Sequence, residues 1–255
     1  MKFHRLTQKL YYQDFYLRRA RAVVVKTGSD FIELDRTVAY PEGGGQEADQ
    51  GCILLSDGTQ IRFNWAKRMY GHSSGLPEFP DVTLDGVIWH IIDPGDAHLI
   101  ERVQPGSATV VEIDVERRAR LSLSHSASHL VYLGVGKIRP DAVANTIGCH
   151  IKVDGARFDF AVKSRITTEE LQQMTEVANG YVLRNSAISI SSHPEFSDAR
   201  RWHAEGFTIP CGGIHIDQAG PIGELYLKRK AIGAGKERIS CTFPQARFET
   251  APYHD

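Results

Sequence analysis

The stretch GCILLSDGTQIRFNWA, residues 51–66, has two short runs of strand-forming residues on either side of residues 56–59. The turn contains Asp57 and Gly58, a pair that adopts the left-handed backbone conformations required in tight hairpin turns. Apolar and aromatic residues alternate with polar ones in the flanking runs, a pattern typical of strands. The stretch therefore predicts an antiparallel hairpin.

Comparable runs occur throughout the first half of the chain, bounded by Gly, Pro or Asp. They are AVVVKT at 22–27, FIELDRTVAY at 31–40, GVIWHII at 86–92 and ATVVEIDV at 108–115. Many short strands with turn residues between them are typical of small barrels and sandwiches. We predict a small antiparallel β-barrel over residues 1–112.

The character of the sequence changes near residue 112. Apolar residues at 114–138 partly follow a helical period, and 167–185 has the composition of a second helix with Thr168 as its N-cap. Runs of strand-forming residues occupy 145–153, 157–162 and 188–196. Helices among strands predict an α+β domain over residues 113–255, so the chain is assigned to the α+β class.

The composition excludes several classes of protein. The 255 residues are 42% hydrophobic and 24% charged with a formal net charge of -1, unlike a disordered chain or a basic protein that coats nucleic acid. The cysteines form no CxxC pair, and we recognise neither a signal peptide nor the roughly 18 apolar residues of a membrane span. We expect a cytoplasmic protein without membrane contact.

Two histidines stand four residues apart in SHSASHL, residues 124–130, within the first predicted helix. His125 and His129 would project from one face of that helix about one turn apart, close enough to bind one zinc ion together. Such pairs also arise by chance, so two partly exposed helix histidines are an equally good interpretation of this motif alone.

A second candidate pair lies in PCGGIH, residues 210–215. Cys211 and His215 would complete a set of three imidazole nitrogens and one thiolate, which zinc favours. Taken alone, the motif is equally consistent with a tight turn that holds a buried free cysteine. The two pairs together predict zinc bound by His125, His129, Cys211 and His215, with His215 as the weakest ligand. Both a closed structural site and an open catalytic site fit this spacing.

Several motifs in a fixed order resemble those of a known family. They are YPEGGGQEADQGCI at 40–53, HSASHL at 125–130, RFDF at 157–160 and CGGIH at 211–215, which is followed by AGPIGELYLKRK. In order and spacing they resemble the glycine-rich barrel and the editing domain of alanyl-tRNA synthetase. The sequence has no ATP-binding signature. It is therefore similar to the free-standing AlaX-type trans-editing proteins, in the longer form that retains the glycine-rich barrel.

The resemblance implies an ATP-independent hydrolase whose partner is mischarged tRNA(Ala). The implied substrates are Ser-tRNA(Ala) and Gly-tRNA(Ala), and the implied cofactor is Zn²⁺ at the four ligands named above. Neither an oligomeric state nor a general base is implied. Two other functions stay open: editing of another mischarged tRNA such as Ser-tRNA(Thr), and RNA binding by a non-catalytic module that zinc stabilises.

Serine differs from alanine by one hydroxyl, which an editing site must recognise. A polar group that hydrogen-bonds this hydroxyl stays unpaired when alanine enters, and this discriminates strongly. Thr146 matches a family position with a threonine facing the substrate, so we predict that it recognises serine; an ordinary strand residue is the alternative. Cys149 replaces the family's serine and is expected to line the pocket or to fill a buried strand position. Ile214 stands where the family has a threonine, so that hydroxyl is missing.

The glycine-rich run EGGGQ, residues 42–46, is a second candidate for substrate contact. Successive glycines allow a close approach of the backbone to a ligand, and Gln46 offers both a donor and an acceptor. We predict that Gly44, Gly45 and Gln46 reach over the pocket. The alternative is a bulged turn that closes the barrel.

Positive charge is concentrated in ERRAR, residues 116–120, and in KRKAIGAGKER, residues 228–238. Such clusters can bind the phosphates of a tRNA acceptor stem in a salt-sensitive manner. Solvated surface charge explains either cluster equally well.

Overall fold

A computed structural model describes residues 6–80 and 82–255. The strands of the first half are β1 (Gln8–Lys9), β2 (Arg19–Thr27), β3 (Phe31–Leu34), β4 (Arg36–Thr37), β5 (Gly51–Leu55), β6 (Gln60–Met69), β7 (His72–Ser73), β8 (Thr83–Leu84), β9 (Val87–Ile92) and β10 (Ala108–Ile113). Short 3₁₀ helices at Leu10–Tyr12 and Pro94–Arg102 connect some of them.

The longer strands of this half close into an antiparallel barrel in the order β10-β2-β3-β9-β6-β5. Its core is apolar and almost free of solvent; Ile32, Ile53, Ile61, Ile88 and Val111 are fully buried. Closure removes the unpaired backbone edges that an open sheet would expose. The prediction of a small antiparallel barrel is confirmed.

Residues 51–66 form the β5–β6 hairpin of this barrel. Gly58 has a φ of +86°, and the Asp57 carboxylate accepts a 2.9 Å hydrogen bond from the Thr59 N–H. The pairing places Ile53 opposite Ile61, and both side chains point into the core. Turn chemistry and the alternation of apolar residues therefore specify the same register.

The second half mixes helices and strands, which confirms the α+β class. Its elements are α1 (Val115–Ile138), α2 (Pro140–Val143), β11 (Thr146–Lys152), β12 (Gly155–Ala161), α3 (Thr168–Leu183), β13 (Ser189–Ser192), β14 (Arg200–Ala204), β15 (Phe207–Pro210), β16 (Tyr226–Gly233) and β17 (Lys236–Thr242), with a 3₁₀ helix at Gly220–Ile222. The strands form two sheets, β11-β12-β17-β16 and β13-β14-β15. Helix α1 packs against α3 and against the larger sheet.

Side-chain caps set the starts of both long helices. The Asp114 carboxylate accepts a 3.0 Å hydrogen bond from the Arg117 N–H at the start of α1. At the start of α3 the cap is Thr167, so the assignment of Thr168 was wrong. Thr167 forms a capping box with Glu170, with hydrogen bonds of 3.1 and 2.7 Å. Only Thr167 has a glutamate three residues later, as this motif requires.

The glycine-rich loop joins the two halves of the molecule. Its backbone lies beside β11 and is hydrogen-bonded to it: the Ile151 N–H donates to the Gly45 carbonyl at 2.8 Å, and the Glu47 N–H donates to the Ile151 carbonyl at 3.1 Å. Asp49 forms a fully buried ion pair with Arg118 on α1, at 3.0 and 3.1 Å from Nε. Strand β10 ends at Ile113 and α1 begins at Val115, while the division into domains at residue 112 stays a prediction.

Among residues 6–80 and 82–255, the helices are too short or too polar to cross a lipid bilayer.

Candidate metal and substrate site

Helix α1 supplies the first two residues of the site. His125 and His129 lie one turn apart with ring centroids separated by 4.9 Å, and they are only 2% and 7% exposed. Small side chains surround them on the helix, and Ser124, Ser126 and Ser128 are buried as well. The alternative of two partly exposed histidines is therefore wrong.

The loop after β15 supplies the other two residues. Cys211 is half-buried and His215 is buried, and Sγ of Cys211 lies 3.4 Å from Nε2 of both His125 and His215. Gly213 makes this approach possible: a Cβ there would lie 2.1 Å from Cε1 of His125. The potential ligand atoms of His125, His129, Cys211 and His215 all lie within 4.8 Å of one another, so this group can hold a metal ion.

Hydrogen bonds outside the group determine which imidazole nitrogens face its centre. Nδ1 of His125 donates to Oε1 of Gln46 at 2.6 Å. The Ser126 hydroxyl donates to the Ser122 carbonyl at 3.0 Å, so it accepts from Nδ1 of His215 at 3.2 Å. With both Nδ1 atoms protonated, the Nε2 lone pairs of His125 and His215 are available to a metal.

The environment of Nε2 of His129 shows whether a metal ion fits this group. Nε2 of His129 has no hydrogen-bond partner among the described residues and is shielded from solvent. An orphaned buried polar atom costs about 1–3 kcal/mol, which a bound cation would offset. Three imidazole nitrogens and a thiolate form a tetrahedral set of the kind that suits zinc. The residues present fit such an ion.

Burial shifts the pKa of every member of this group in the direction that favours the neutral side chain. It lowers the pKa of His129 to about 3, and it holds the pKa values of His125 and His215 well below the usual 6.5, with further lowering from neighbouring imidazoles. It also raises the pKa of Cys211 to about 12, against the opposing hydrogen bond from the Gly213 N–H. The imidazoles are thus ready to coordinate, whereas the thiol must release its proton to the solvent when a cation binds.

The group opens into a cleft of about 950 Å³. His125, His129 and Cys211 line it together with Thr146, Cys149 and Gly44. The Thr146 hydroxyl is exposed and donates to the Val143 carbonyl at 2.8 Å, and the Cys149 thiol donates to the Gly44 carbonyl at 3.3 Å. The cleft therefore brings one end of β11 and the glycine-rich loop to the metal-binding group.

Comparison with known proteins gives a consistent result. No protein-family model matches the sequence. The chain is 28% identical to the alanyl-tRNA editing protein AlaX-M of Pyrococcus horikoshii over 92% of this chain and 96% of that protein. It is 31% identical to the alanine-tRNA ligase of Methanopyrus kandleri and 30% identical to that of Methanobrevibacter smithii, over 95% and 91% of this chain. The chain belongs to the alanyl-tRNA editing-domain family.

The coverage of these relatives differs. The chain spans about a quarter of the length of the two ligases, 27% and 26%, and nearly all of AlaX-M. In this member of the editing-domain family, both the barrel and the α+β half fall within the matched region.

Two residues predicted to contact substrate, Gln46 and Gly45, pack against other residues of the site. Gln46 contacts His125, and Gly45 contacts Cys149 on β11. The Gln46 side chain is fully buried, and its Oε1 accepts from His125 and, at 3.3 Å, from the Ile214 N–H. Gly45 has a φ of +83°, and a Cβ there would lie 2.2 Å from Sγ of Cys149. Gln46 thus holds the imidazole, and Gly45 allows the loop to pack against β11.

The missing hydroxyl at Ile214 leaves an apolar contact in its place. The Ile214 side chain is fully buried and packs in a small cluster with Tyr11 and Tyr40. The 211–215 loop is thereby anchored to residues of the first half.

The contact that Ser126 makes with His215 was not predicted from the sequence. A serine on a helix that also has Ser122, Ser124 and Ser128 looks like any other small residue. Its one available signal was its position next to His125, on the helix that presents the two histidines. Its contact with His215, 89 residues later, exists only in the folded chain.

The ERRAR cluster does not form a free basic surface. Arg118 is buried against Asp49, and Arg117 pairs with Glu47 at 3.0 Å. Arg120 pairs with Glu116 at 2.9 Å and lies 4.2 Å over the Phe248 ring. These arginines connect parts of the molecule. Of the two interpretations that the sequence left open at 116–120, a phosphate-binding patch and solvated surface charge, neither describes the buried Arg118.

Proposed function

We propose that the protein is an aminoacyl-tRNA deacylase that hydrolyses the ester of mischarged tRNA(Ala), with Ser-tRNA(Ala) and Gly-tRNA(Ala) as substrates. The observation that supports this most directly is the buried group of three histidines and one cysteine, open to a cleft, in a chain that matches an alanyl-tRNA editing protein over nearly its whole length. Zinc is the proposed cofactor.

Hydrolysis of an aminoacyl ester requires little acid-base catalysis from the protein. An aminoacyl ester is already activated, so hydrolysis needs an oriented substrate, a positioned water and stabilisation of the charge that develops on the carbonyl oxygen. When bound, zinc supplies a Lewis acid that orients polar groups of the substrate or water. His125 and His215 hold their Nε2 lone pairs toward this position through Gln46 and Ser126.

Thr146 is the proposed recognition residue for serine. Its hydroxyl proton points to the Val143 carbonyl, so its oxygen is left to accept a hydrogen bond from the substrate. A serine hydroxyl can donate that bond, whereas the methyl group of alanine cannot. The Tyr132 hydroxyl, 3.4 Å away, supports the same polar end of the cleft.

Cys149, Gly44 and Gly45 are proposed to shape the wall next to Thr146. The Cys149 thiol is held by the Gly44 carbonyl, and burial raises the pKa of this thiol. The neutral thiol fills volume at the end of the cleft without adding a charge. We propose that it limits the size of the amino acid that enters.

The tRNA is proposed to bind across the β16–β17 hairpin, which contains the KRKAIGAGKER cluster. Lys228, Lys230 and Lys236 are exposed there, while Arg229 and Arg238 are paired with Glu237 and Asp159. This sheet also contains β11, which lines the cleft, so a bound phosphate backbone would lead to the site. A cytoplasmic location stays a prediction.

The first experiment is deacylation by zinc-loaded protein of Ser-tRNA(Ala), Gly-tRNA(Ala), Ala-tRNA(Ala) and Ser-tRNA(Thr). Release of serine and glycine from tRNA(Ala), with alanine spared, is the expected result. Hydrolysis of Ser-tRNA(Thr) alone would indicate another tRNA. No hydrolysis of any of them would contradict the proposal and favour an RNA-binding module stabilised by zinc.

Two cysteine variants test whether the metal acts in the reaction or only stabilises the fold. Cys211→Ala removes a proposed ligand, whereas Cys52→Ala alters a half-buried barrel residue outside the cleft. We expect Cys211→Ala to stay folded and to lose deacylation, with Cys52→Ala unchanged. A Cys211→Ala protein that is folded and fully active would remove the metal from the mechanism, and one that unfolds would indicate structural zinc.

A further inference from the structure

The cleft has a second arm, where the barrel meets the 211–215 loop. Its lining includes Tyr12, Arg68, Tyr70 and Asp198. A Cβ on Gly212, next to Cys211, would lie 3.2 Å from the Tyr12 hydroxyl, and Nη2 of Arg68 lies 3.5 Å from the same hydroxyl. The arm therefore extends from the metal-binding group past Tyr12 to Arg68.

Positive charge exceeds negative charge around this arm. Lys9 lies 2.5 Å and Arg68 lies 3.7 Å from the Asp198 carboxylate. Arg200 is also buried, with its guanidinium 4.8 Å over the Tyr12 ring. Burial lowers the pKa of Lys9 and the charge of Arg68 lowers it further. Three cations thus lie around this arm with one buried carboxylate, while the second nearby carboxylate, Asp85, is about half exposed and pairs with His72. An anionic ligand would relieve this excess of buried positive charge.

Arg68 has hydrogen-bonding capacity left for such a ligand. Its Nη1 donates to the Thr83 carbonyl, and its Nη2 reaches the Tyr12 hydroxyl only at 3.5 Å. A guanidinium has five N–H donors, and its planar fork matches two phosphate oxygens. The side chain is 15% exposed, and its accessible part faces the cleft.

Tyr70 brings an aromatic ring to the same arm. Its φ of 61° lies in the left-handed region, which costs a non-glycine residue on the order of 1 kcal/mol or more. The side chain is 46% exposed, and its ring meets Trp89 edge-on at 5.9 Å. Exposed aromatic rings of this kind stack on unpaired nucleobases.

We propose that this arm binds the terminal nucleotide of the RNA 3′ end, with Arg68 on its 5′-phosphate and Tyr70 against its base. The assignment rests on the proposed function, which places the aminoacyl ester beside the metal-binding group. Since the ester is attached to the terminal ribose, the phosphate of that nucleotide must lie one sugar further along the cleft. The Tyr12 hydroxyl occupies that intermediate position, between Gly212 and Arg68.

The test uses 5′-AMP, adenosine and inorganic phosphate as probes, titrated by calorimetry into zinc-loaded protein. We expect 5′-AMP to bind at least 10-fold more tightly than adenosine or phosphate. Arg68→Gln should abolish the advantage of 5′-AMP over adenosine. Tyr70→Ala should weaken the binding of 5′-AMP and of adenosine by the same factor. Equal binding of 5′-AMP and adenosine to the unmodified protein would overturn the proposal, and phosphate binding as tight as that of 5′-AMP would reduce the arm to a general anion site.

Arg62→Gln is the matched control, because Arg62 is on the same strand, β6, and pairs with Asp96 away from the cleft. It should bind all three probes like the unmodified protein. Since Arg68 also contacts Thr83, thermal unfolding of each variant is measured in parallel, and Arg68→Lys provides a second variant. Arg68→Lys keeps the charge without the fork, so it should retain part of the 5′-AMP advantage; a folded Arg68→Gln protein with unchanged selectivity contradicts the proposal.

Deacylation kinetics separate this inference from the proposed function. With Ser-tRNA(Ala), Arg68→Gln should raise KM at least 10-fold with little change in kcat, and should reduce the slope of log affinity against log salt by about one. Activity in the unmodified protein with no change in Arg68→Gln would overturn this inference alone. Failure of all hydrolysis, with Arg68-dependent binding of 5′-AMP intact, would overturn the editing function and leave a nucleotide site.

Discussion

Oε1 of Gln46 accepts a 2.6 Å hydrogen bond from Nδ1 of His125, and this bond connects the glycine-rich loop of the barrel to the metal-binding helix. The same oxygen accepts from the Ile214 N–H at 3.3 Å. One buried carboxamide thus positions both segments that supply the metal-binding residues. Gln46 is a positioning residue whose effect on the cleft passes through His125.

Gln46→Leu is expected to lower zinc affinity by roughly 10- to 100-fold, the usual effect of losing a partner of a metal-bound histidine. The measurement is zinc competition with a chelator of known affinity. Gln60→Leu, an exposed position on β6, is the matched control and should keep the original affinity. An unaltered affinity in Gln46→Leu would show that the hydrogen bond does not support the metal.

Ser126→Ala and Ser124→Ala should differ although both remove a buried hydroxyl from α1. The Ser126 hydroxyl accepts from His215 and, at 3.2 Å, from the Ile216 N–H, whereas the Ser124 hydroxyl has no partner among the described residues. We expect Ser126→Ala to lower the free energy of unfolding by about 1–3 kcal/mol and to weaken zinc binding. Ser124→Ala should be neutral or stabilising in urea unfolding; equal losses in both variants would contradict this assignment.

Gly213→Ala should disrupt the metal-binding group and Gly212→Ala should be tolerated. A Cβ at 213 would overlap the His125 ring at 2.1 and 2.3 Å, whereas one at 212 would meet the Tyr12 hydroxyl at 3.2 Å, which a small side-chain movement relieves. The expected result is loss of stoichiometric zinc in Gly213→Ala only, measured by metal analysis after dialysis. Full zinc content in a folded Gly213→Ala protein would disprove the close packing of Gly213 against the His125 ring.

Thr146→Val should abolish the preference for serine with little change in stability, because the Thr146 hydroxyl is exposed and its contacts within the described part of the chain are confined to the Val143 carbonyl and, at 3.4 Å, the Tyr132 hydroxyl. We expect kcat/KM for Ser-tRNA(Ala) to fall by 10-fold or more. Thr27→Val, at the end of β2 in the barrel, is the control. Unchanged turnover of serine relative to alanine would remove Thr146 from the recognition of substrate.

The buried His90 should make the free energy of unfolding fall in acid. Its Nδ1 donates to the Ile32 carbonyl at 3.1 Å and its Nε2 accepts from Thr37 at 2.8 Å, and burial lowers the pKa of His90 to about 4. The unfolded chain binds this proton near pH 6.5, so the free energy of unfolding should fall by up to about 3 kcal/mol as the pH drops from 6.5 to 4. The contribution is fully present above pH 6.5.

The measurement is urea unfolding of zinc-loaded protein across this pH range. Burial also lowers the pKa of the three metal-binding histidines, so they add the same acid sensitivity to every variant, and His90 is judged by the difference in slope between the unmodified protein and His90→Gln. His90→Gln should be less stable at neutral pH but should show a flatter pH dependence, whereas the exposed His98→Gln should match the unmodified protein. A slope in His90→Gln as steep as that of the unmodified protein would assign this part of the acid sensitivity to another group.

Features that depend on neighbours along the chain can be predicted from the amino-acid sequence alone. Alternation around Asp57 and Gly58 specified the β5–β6 hairpin, and the four-residue spacing of His125 and His129 placed both on one face of α1. The capping box was also available, since Thr167 and Glu170 are three residues apart. These features follow from backbone geometry over one turn of helix or one hairpin, so local patterns suffice to predict them.

The choice of distant residues that act together depends on how the folded chain packs. Gln46 and Ser126 hold histidines that are 79 and 89 residues away in sequence, and Arg118 is buried by an aspartate 69 residues away. Neither the charge of an arginine nor the polarity of a glutamine indicates whether the folded chain leaves it in solvent. Packing of α1 against the glycine-rich loop and the 211–215 loop makes that choice, because it removes these groups from water and leaves them only protein partners.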